Sequence, residues 1–296
     1  MNTQSKLSRR SIMVFVSLAL AATTLLATLA SCSNTQDPNP TETVDPTDTY
    51  VADIDMDIIS QKIDSMEVSD YREVTPPENA EISDLEYKYV KISVKGYGDI
   101  IVRLLDDVAP GTVSNFRYLV YEKFYDGLTF HRVMSGFMIQ GGCPKGDGTG
   151  NSGQWIQGEF AENGITNDLS HIRGVISMAR GSYDMDSASS QFFIMHADNT
   201  ESLDGKYAAF GYVVAGMDVV DAIASVSVTT NASGEKSQPT SKIVIDSVRF
   251  VEYVAPVTDN TPPAEDSVAD SEADITESVT DAEDTVVDTN EESSSN

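Results

Sequence analysis

Cysteine, histidine, tryptophan and basic residues are all scarce in this chain. Its 296 residues include two cysteines, three histidines and one tryptophan, and 19 Lys and Arg stand against 47 Asp and Glu. Each shortage argues against a class of function. Cys32 and Cys143 lie in unlike surroundings, with no Cys-x-x-Cys or Cys/His spacing, so neither a disulfide framework nor a zinc site is indicated. His131, His171 and His196 are too scattered to form a metal set, and Asp184-Met185-Asp186 reads as a solvated loop rather than a calcium site. No metal or other cofactor is expected. A formal charge of −28 argues against nucleic acid as a partner, because phosphate contacts require clustered Lys and Arg. The glycine-rich run Gly141 to Gly150 lacks the Gly-Lys-Ser/Thr ending of a phosphate loop, and no hydrolase nucleophile elbow is present.

The acidity is unevenly placed. Residues 33–84 carry 14 acids and the stretch after Val254 carries 13, with only Lys62 and Arg72 as bases in those flanks. Residues 86–254 hold 20 acids against 14 bases, an ordinary balance. Segments of one charge sign and few aromatics repel themselves and bury too little apolar surface to offset ordering entropy. The flanks are therefore expected to be solvated: a tether over 32–85 and a disordered acidic tail over 255–296. Ile54, Ile58, Ile59, Ile63 and Met66 have helical spacing within the tether. They read either as a short helix near 54–66 docked on the domain or as a solvated segment, and the acidic setting favours the latter slightly.

Only one long apolar run exists. Ile12 to Ala30 follows Lys6, Arg9 and Arg10, the layout of a signal peptide over residues 1–31. It ends in Leu29-Ala30-Ser31-Cys32, which resembles the bacterial lipobox, whose cysteine is acylated. A lipid anchor at Cys32 is the expectation, with an uncleaved membrane helix as the alternative. Both place the rest of the chain outside the cytoplasm, because the basic residues hold the N-terminus inside.

Between the flanks, short apolar runs alternate with turn signals. Tyr87 to Val94 alternates at period two, turns at Gly96-Tyr97-Gly98-Asp99, and continues as Ile100 to Leu105, a hairpin. Further strands are expected at Phe137–Gln140, Val175–Ala179, Gln191–Met195, Gly211–Val214 and Lys242–Val251. Two helices are expected. One starts at Pro110 and places Val113, Phe116 and Val120 on one face; the other runs from Met217 to Ala224. Many short strands with two helices suggest a mainly β fold, a closed antiparallel barrel with helices over its ends.

Three stretches carry chemistry: Phe130-His131-Arg132-Val133-Met134-Ser135-Gly136-Phe137-Met138-Ile139-Gln140-Gly141-Gly142, Ser189-Ser190-Gln191-Phe192-Phe193-Ile194, and Leu203-Asp204-Gly205-Lys206-Tyr207-Ala208-Ala209-Phe210-Gly211. Together, and in this order, they resemble the signature of the cyclophilins, and the resemblance extends over nearly all of 87–252. It implies an eight-stranded barrel and prolyl cis-trans isomerase activity. Such a reaction makes and breaks no bond, so it needs neither nucleophile nor metal. The enzyme must favour the twisted amide over both planar forms.

The resemblance makes Arg132 the catalytic residue, drawing on the prolyl nitrogen as it turns pyramidal, and makes Gln140 the group that orients Arg132 and the substrate. Phe137, Met138, Phe193 and Leu203 would form the proline pocket. Ala179, Arg180, Gln191 and Tyr207 would bind the peptide around it, the first two through backbone groups. Phe192 should point the other way, into the core, because strand side chains alternate. Ser202 stands where many animal members carry a tryptophan that contacts cyclosporin, so weak cyclosporin binding is expected. Cys143 stands where aspartate is usual and is read as a loop thiol without a catalytic role. The implied partners are proline-containing polypeptides, met by a monomer held at a membrane through Cys32. The alternative is a proline-peptide binding module with little turnover, which loss of Arg132 or Gln140 would have favoured.

Overall fold

The computed structural model describes residues 54–81 and 84–254. The expected signal peptide, the lipidation site Cys32 and the acidic tail fall outside the described residues.

Twelve strands are described: β1 (Tyr71–Glu73), β2 (Tyr89–Val94), β3 (Gly98–Leu104), β4 (Thr129–Phe130), β5 (Arg132–Met134), β6 (Met138–Gly141), β7 (Val175–Met178), β8 (Phe192–Met195), β9 (Ala209–Ala215), β10 (Val228–Thr230), β11 (Lys236–Pro239) and β12 (Ile243–Tyr253). The helices are α1 (Met56–Lys62), α2 (Pro110–Tyr121), α3 (Thr200–Leu203) and α4 (Met217–Ala224). Antiparallel pairing runs β12-β2-β3-β9-β7-β8-β6-β5. The ring then closes: β5 pairs β6, β4 pairs Ile243 and Val244 of β12, and only His131 separates β4 from β5. Counting β4 and β5 as one interrupted strand gives the expected eight-stranded barrel. Closure leaves no long edge within the ring to template aggregation.

The interior is built by alternation. Val133, Ile139, Ile194 and Ile176 sit opposite one another across β5, β6, β8 and β7, so all four face the same way. All are essentially inaccessible. Helix α2 plugs one end of the barrel. Its Phe116 packs edge-on to Phe192 and beside Tyr125 and Phe210. Phe192 thus belongs to the core, as alternation requires.

Both long helices are capped from a distance. The residue before α2, Ala109, has no side-chain acceptor, and the carboxylate of Glu159 instead accepts from the Gly111 and Thr112 amides and the Thr112 hydroxyl. Gly216 precedes α4, and Asp64 Oδ1 accepts the Met217 amide at 3.1 Å. Each carboxylate sits where the first-turn amides lack partners and the helix dipole favours negative charge.

The structure corrects the expected domain boundary at residue 86. Residues 54–74 are part of the folded unit rather than solvated tether. Asp55 caps α1, Ile59 is buried in the main core, and Ile63 packs against Gly174. The Asp64 and Met66 amides donate to the Val213 and Val214 carbonyls, and β1 extends β12 through Tyr71↔Tyr253. The apolar spacing at Ile59, Ile63 and Met66 outweighs the acidic composition, because the barrel offers apolar surface to those side chains. Five other elements were not foreseen: β4, β5, α3, and the β10 and β11 strands of a hairpin. They are too short, and too polar in β10–β11, to produce a periodic signal.

Candidate active site

The same alternation that buries Ile139 and Ile194 turns their neighbours outward. Arg132 lies opposite Gln140, Gln140 opposite Phe193, and Phe193 opposite Ser177, a single row across β5, β6, β8 and β7. Met134, Met138 and Met195 form the adjoining row. The candidate site is therefore the outer face of the barrel wall. Register between β5 and β6 is set by a three-residue loop, Ser135 to Phe137, with Gly136 at φ 74°, a state glycine adopts without steric cost.

Arg132 is gripped on several sides. Its Nη1 donates to Gln140 Oε1 at 3.1 Å and faces Met138 Sδ at 3.7 Å. Its Nε and Nη2 donate to the two carboxylate oxygens of Glu235 at 2.6 and 2.7 Å, and Nη2 also reaches Met134 Sδ at 3.3 Å. The guanidinium lies 5.9 Å from the Phe137 ring centre. Gln140 is oriented in turn: its Nε2 donates to Gln191 Oε1, and Gln191 Nε2 donates to the Gly148 and Gly150 carbonyls. This chain settles which way both amides point, since each donor meets an oxygen.

The apolar residues lie in and beside the row, with Phe193 in it and Met138 in the adjoining one. Met138, Phe193 and Leu203 are buried, while Phe137 and Tyr207 are half-buried. Phe193 meets Tyr207 edge-on at 5.8 Å and stacks on the His171 ring at 6.0 Å. His171 is held by Asp204 at Nδ1 and by Ser177 at Nε2. Burial holds its pKa below the usual 6.5 despite Asp204, so the ring beneath Phe193 is neutral near pH 7. Burial likewise lowers His131.

Ala179 and Arg180 follow β7. The Ala179 amide donates to the Gln191 carbonyl, which leaves its carbonyl, not its N–H, for a ligand. The Arg180 side chain turns away from the row and packs between Phe160 and Tyr207, donating to the Lys206 carbonyl. Two grooves meet at Gln140. One, about 260 Å³, runs past Ala179, Arg180 and Gln191, with Trp155 and the largely exposed Tyr183 on its rim. The other, about 460 Å³, lies between the 146–149 loop and the β10–β11 tip, beside Arg132 and Glu235.

The proposed site residues thus come together, and one further residue joins them. Glu235 was not foreseen, because a lone acid in a polar turn gives no signal until the hairpin is folded. Arg132 is the main reason its carboxyl pKa falls from 4.5 to about 2. Cys143 is buried in the loop after β6 and accepts the Gly150 amide. Among the described residues no cluster of His, Cys, Asp and Glu is arranged to hold a metal ion.

Residues 89–250, more than half the chain, match the profile of the family described as cyclophilin type peptidyl-prolyl cis-trans isomerase/CLD. The chain belongs to this family. The cyclophilin is 42% identical over 144 residues to the peptidyl-prolyl cis-trans isomerase of Synechococcus elongatus, spanning 46% of this chain and 93% of that one. It is 46% identical over 132 residues to the isomerase cyp15 of Rhizopus delemar, covering 44% of this chain but only 20% of that longer protein. A crystal structure of a Cryptosporidium parvum cyclophilin, obtained in the presence of the dipeptide Ala-Pro, is 28% identical and covers 55% of this chain and 98% of that one, with a TM-score of 0.48. The family and the named relatives make peptidyl-prolyl cis-trans isomerisation the activity of this cyclophilin.

Proposed function

We propose that this cyclophilin isomerises X-Pro bonds in extracytoplasmic polypeptides and so assists their folding, acting as a monomer tethered to a membrane by a lipid on Cys32. The observation that carries the mechanism is the grip on Arg132. With Nε and much of Nη2 committed to Glu235, the Nη1 edge lies between Gln140 and the Met138 sulfur. A thioether is a weak acceptor, so a prolyl nitrogen or carbonyl in the pocket of Phe137, Met138, Phe193 and Leu203 competes with it readily. As the amide twists, the nitrogen lone pair becomes localised and accepts better. A guanidinium already in place then stabilises the twisted state more than either planar one. The two grooves that meet at Gln140 suit an extended chain crossing the row, with Ala179 and Gln191 on one side of the proline.

The tether reading rests on the lipobox-like Leu29-Ala30-Ser31-Cys32 and the basic residues before it. X-Pro isomerisation takes tens of seconds unaided, which is slow enough to limit folding of secreted chains.

The test is isomerisation of a short proline peptide by the full chain and by its Arg132→Ala variant. Catalysis that falls by about a hundredfold or more in a variant with unchanged circular dichroism supports the reading. A well-folded parent without catalysis would replace it with a proline-peptide binding module. Ser202 lies exposed on α3 where the resemblance places an indole. Cyclosporin should therefore inhibit only at concentrations well above the nanomolar range, and tight inhibition in the same assay would refute that expectation.

A further inference from the structure

The β10–β11 hairpin leaves α4, crosses the outside of the barrel and returns to β12. Among the described residues its strands pair only with each other: Val228↔Pro239, Thr229↔Gln238 and Thr230↔Lys236, with an irregularity after Thr229. Its tip is tightly organised for an exposed turn. Asn231 Oδ1 accepts from the Ser233 hydroxyl and from the Ser233 and Glu235 amides, and the Asn231 amide donates to the Glu235 carbonyl at 2.8 Å. Asn231 Nδ2 in turn reaches the hydroxyl of Ser237, which is fully buried. The backbone of Glu235 is thereby held by the residue four positions before it.

What this organisation delivers is one carboxylate. Both oxygens of Glu235 lie on the Nε and Nη2 edge of Arg132, the side-on fork arrangement in which two parallel charge-assisted bonds fix the guanidinium plane. The two side chains are roughly one-third accessible, so they are neither locked in the core nor freely solvated. Gln140 holds the opposite nitrogen. With both edges held, the only N–H groups of Arg132 left to weak partners are those facing the sulfurs of Met134 and Met138. The Met138 side is the pocket side.

We propose that Glu235 is a positioning residue for the isomerisation, and that the hairpin exists in part to carry it. The proposal rests on the assignment of Arg132 made above. An arginine on the outer face of the barrel wall has a long flexible side chain, and Gln140 alone would leave its plane free to swing. Side-on chelation removes that freedom before substrate arrives, so the ordering cost does not fall on the transition state. A competing effect exists, because the carboxylate offsets part of the guanidinium charge. The geometry indicates that positioning outweighs it, since Glu235 takes the edge away from Met138 and leaves the pocket edge open.

The test uses the full chain with Glu235→Ala and the near-isosteric Glu235→Gln, each also combined with Arg132→Ala. Glu235→Ala is expected to lower kcat by about tenfold with little change in KM, and Glu235→Gln to lose less. In the Arg132→Ala background, Glu235→Ala should have no further effect, since its route of action is gone. The Nε–H proton resonance of Arg132 is expected to exchange slowly in the parent and to move and broaden in Glu235→Ala. Unchanged or raised activity in Glu235→Ala would overturn the proposal, and so would an equal loss in both backgrounds, which marks a merely structural hairpin. If Arg132→Ala itself retains full activity, the assignment of Arg132 falls and the proposal falls with it. That failure is distinct from an active parent whose kcat ignores Glu235.

Discussion

Arg132 distributes its N–H groups unevenly, and the unevenness is what a catalyst of bond rotation requires. Strong acceptors, Glu235 and Gln140, take the edges that fix the plane, while weak sulfur acceptors face the groups that substrate would use. Lysine has three N–H donors on one atom and no plane, so it cannot hold both Glu235 oxygens and Gln140 and still keep a fixed N–H for substrate. Arg132→Lys is expected to lose nearly as much activity as Arg132→Ala, on the order of a hundredfold, despite keeping the charge. A variant retaining more than half the activity in the peptide assay would show that charge, not geometry, matters there. Arg132, Gln140, Phe193 and Leu203 were nameable from the motifs around them. Glu235 was not, because 103 residues separate it from Arg132 and no local pattern marks it.

At the scale of elements, the N-terminal segment acts as a strap. Helix α1 buries Ile59, the following turn lends Asp64 to the start of α4, and β1 lengthens the sheet along β12. These contacts lie on β9, β12 and α4, not on the row of Arg132 and Gln140. Ile59→Ala should therefore cost roughly 2–4 kcal/mol of stability by emptying part of the core, with activity per folded molecule unchanged. Urea denaturation and the peptide assay on the same sample check both halves. A loss below about 0.5 kcal/mol would mean that the strap is docked only loosely. The strap was half-legible: its apolar spacing is plain, but whether that face is covered depends on a barrel surface assembled from residues far downstream, such as Gly174, Val213 and Val214.

For the molecule as a whole, two imidazoles, His171 buried and His131 half-buried, set a pH dependence. His131 and His171 both have pKa values held below 6.5, chiefly by burial. The unfolded chain therefore binds more protons than the folded one as pH falls below about 6.5. Their contribution to stability is complete above that value and is lost as pH drops through the depressed folded values. Glu235 behaves in the same sense at lower pH: its pairing with Arg132 persists below the ordinary carboxyl range and breaks only near pH 2. The urea midpoint should be lower at about pH 5.5 than at about pH 7.5, and His171→Gln should flatten part of that slope. A midpoint that does not move, or that rises on acidification, would contradict the burial of these rings. The grip on Arg132 should show no titration of Glu235 across the same range.

Local chemistry was sufficient for much of this cyclophilin. Period-two alternation placed β2, the turn after it placed β3, a short apolar run placed β8, proline placed the start of α2, and the order of three motifs identified the family and most of the row on the barrel wall. These features are written within a few residues of one another, so they survive reading in one dimension. The tertiary structure alone decided the rest: the closure of β4 on β12, the capping of α2 by Glu159 and of α4 by Asp64, the docking of the strap, and the approach of Glu235 to Arg132. Each of these joins residues far apart in the chain. Their energies depend on the distance between groups after folding, a quantity that no spacing along the sequence contains.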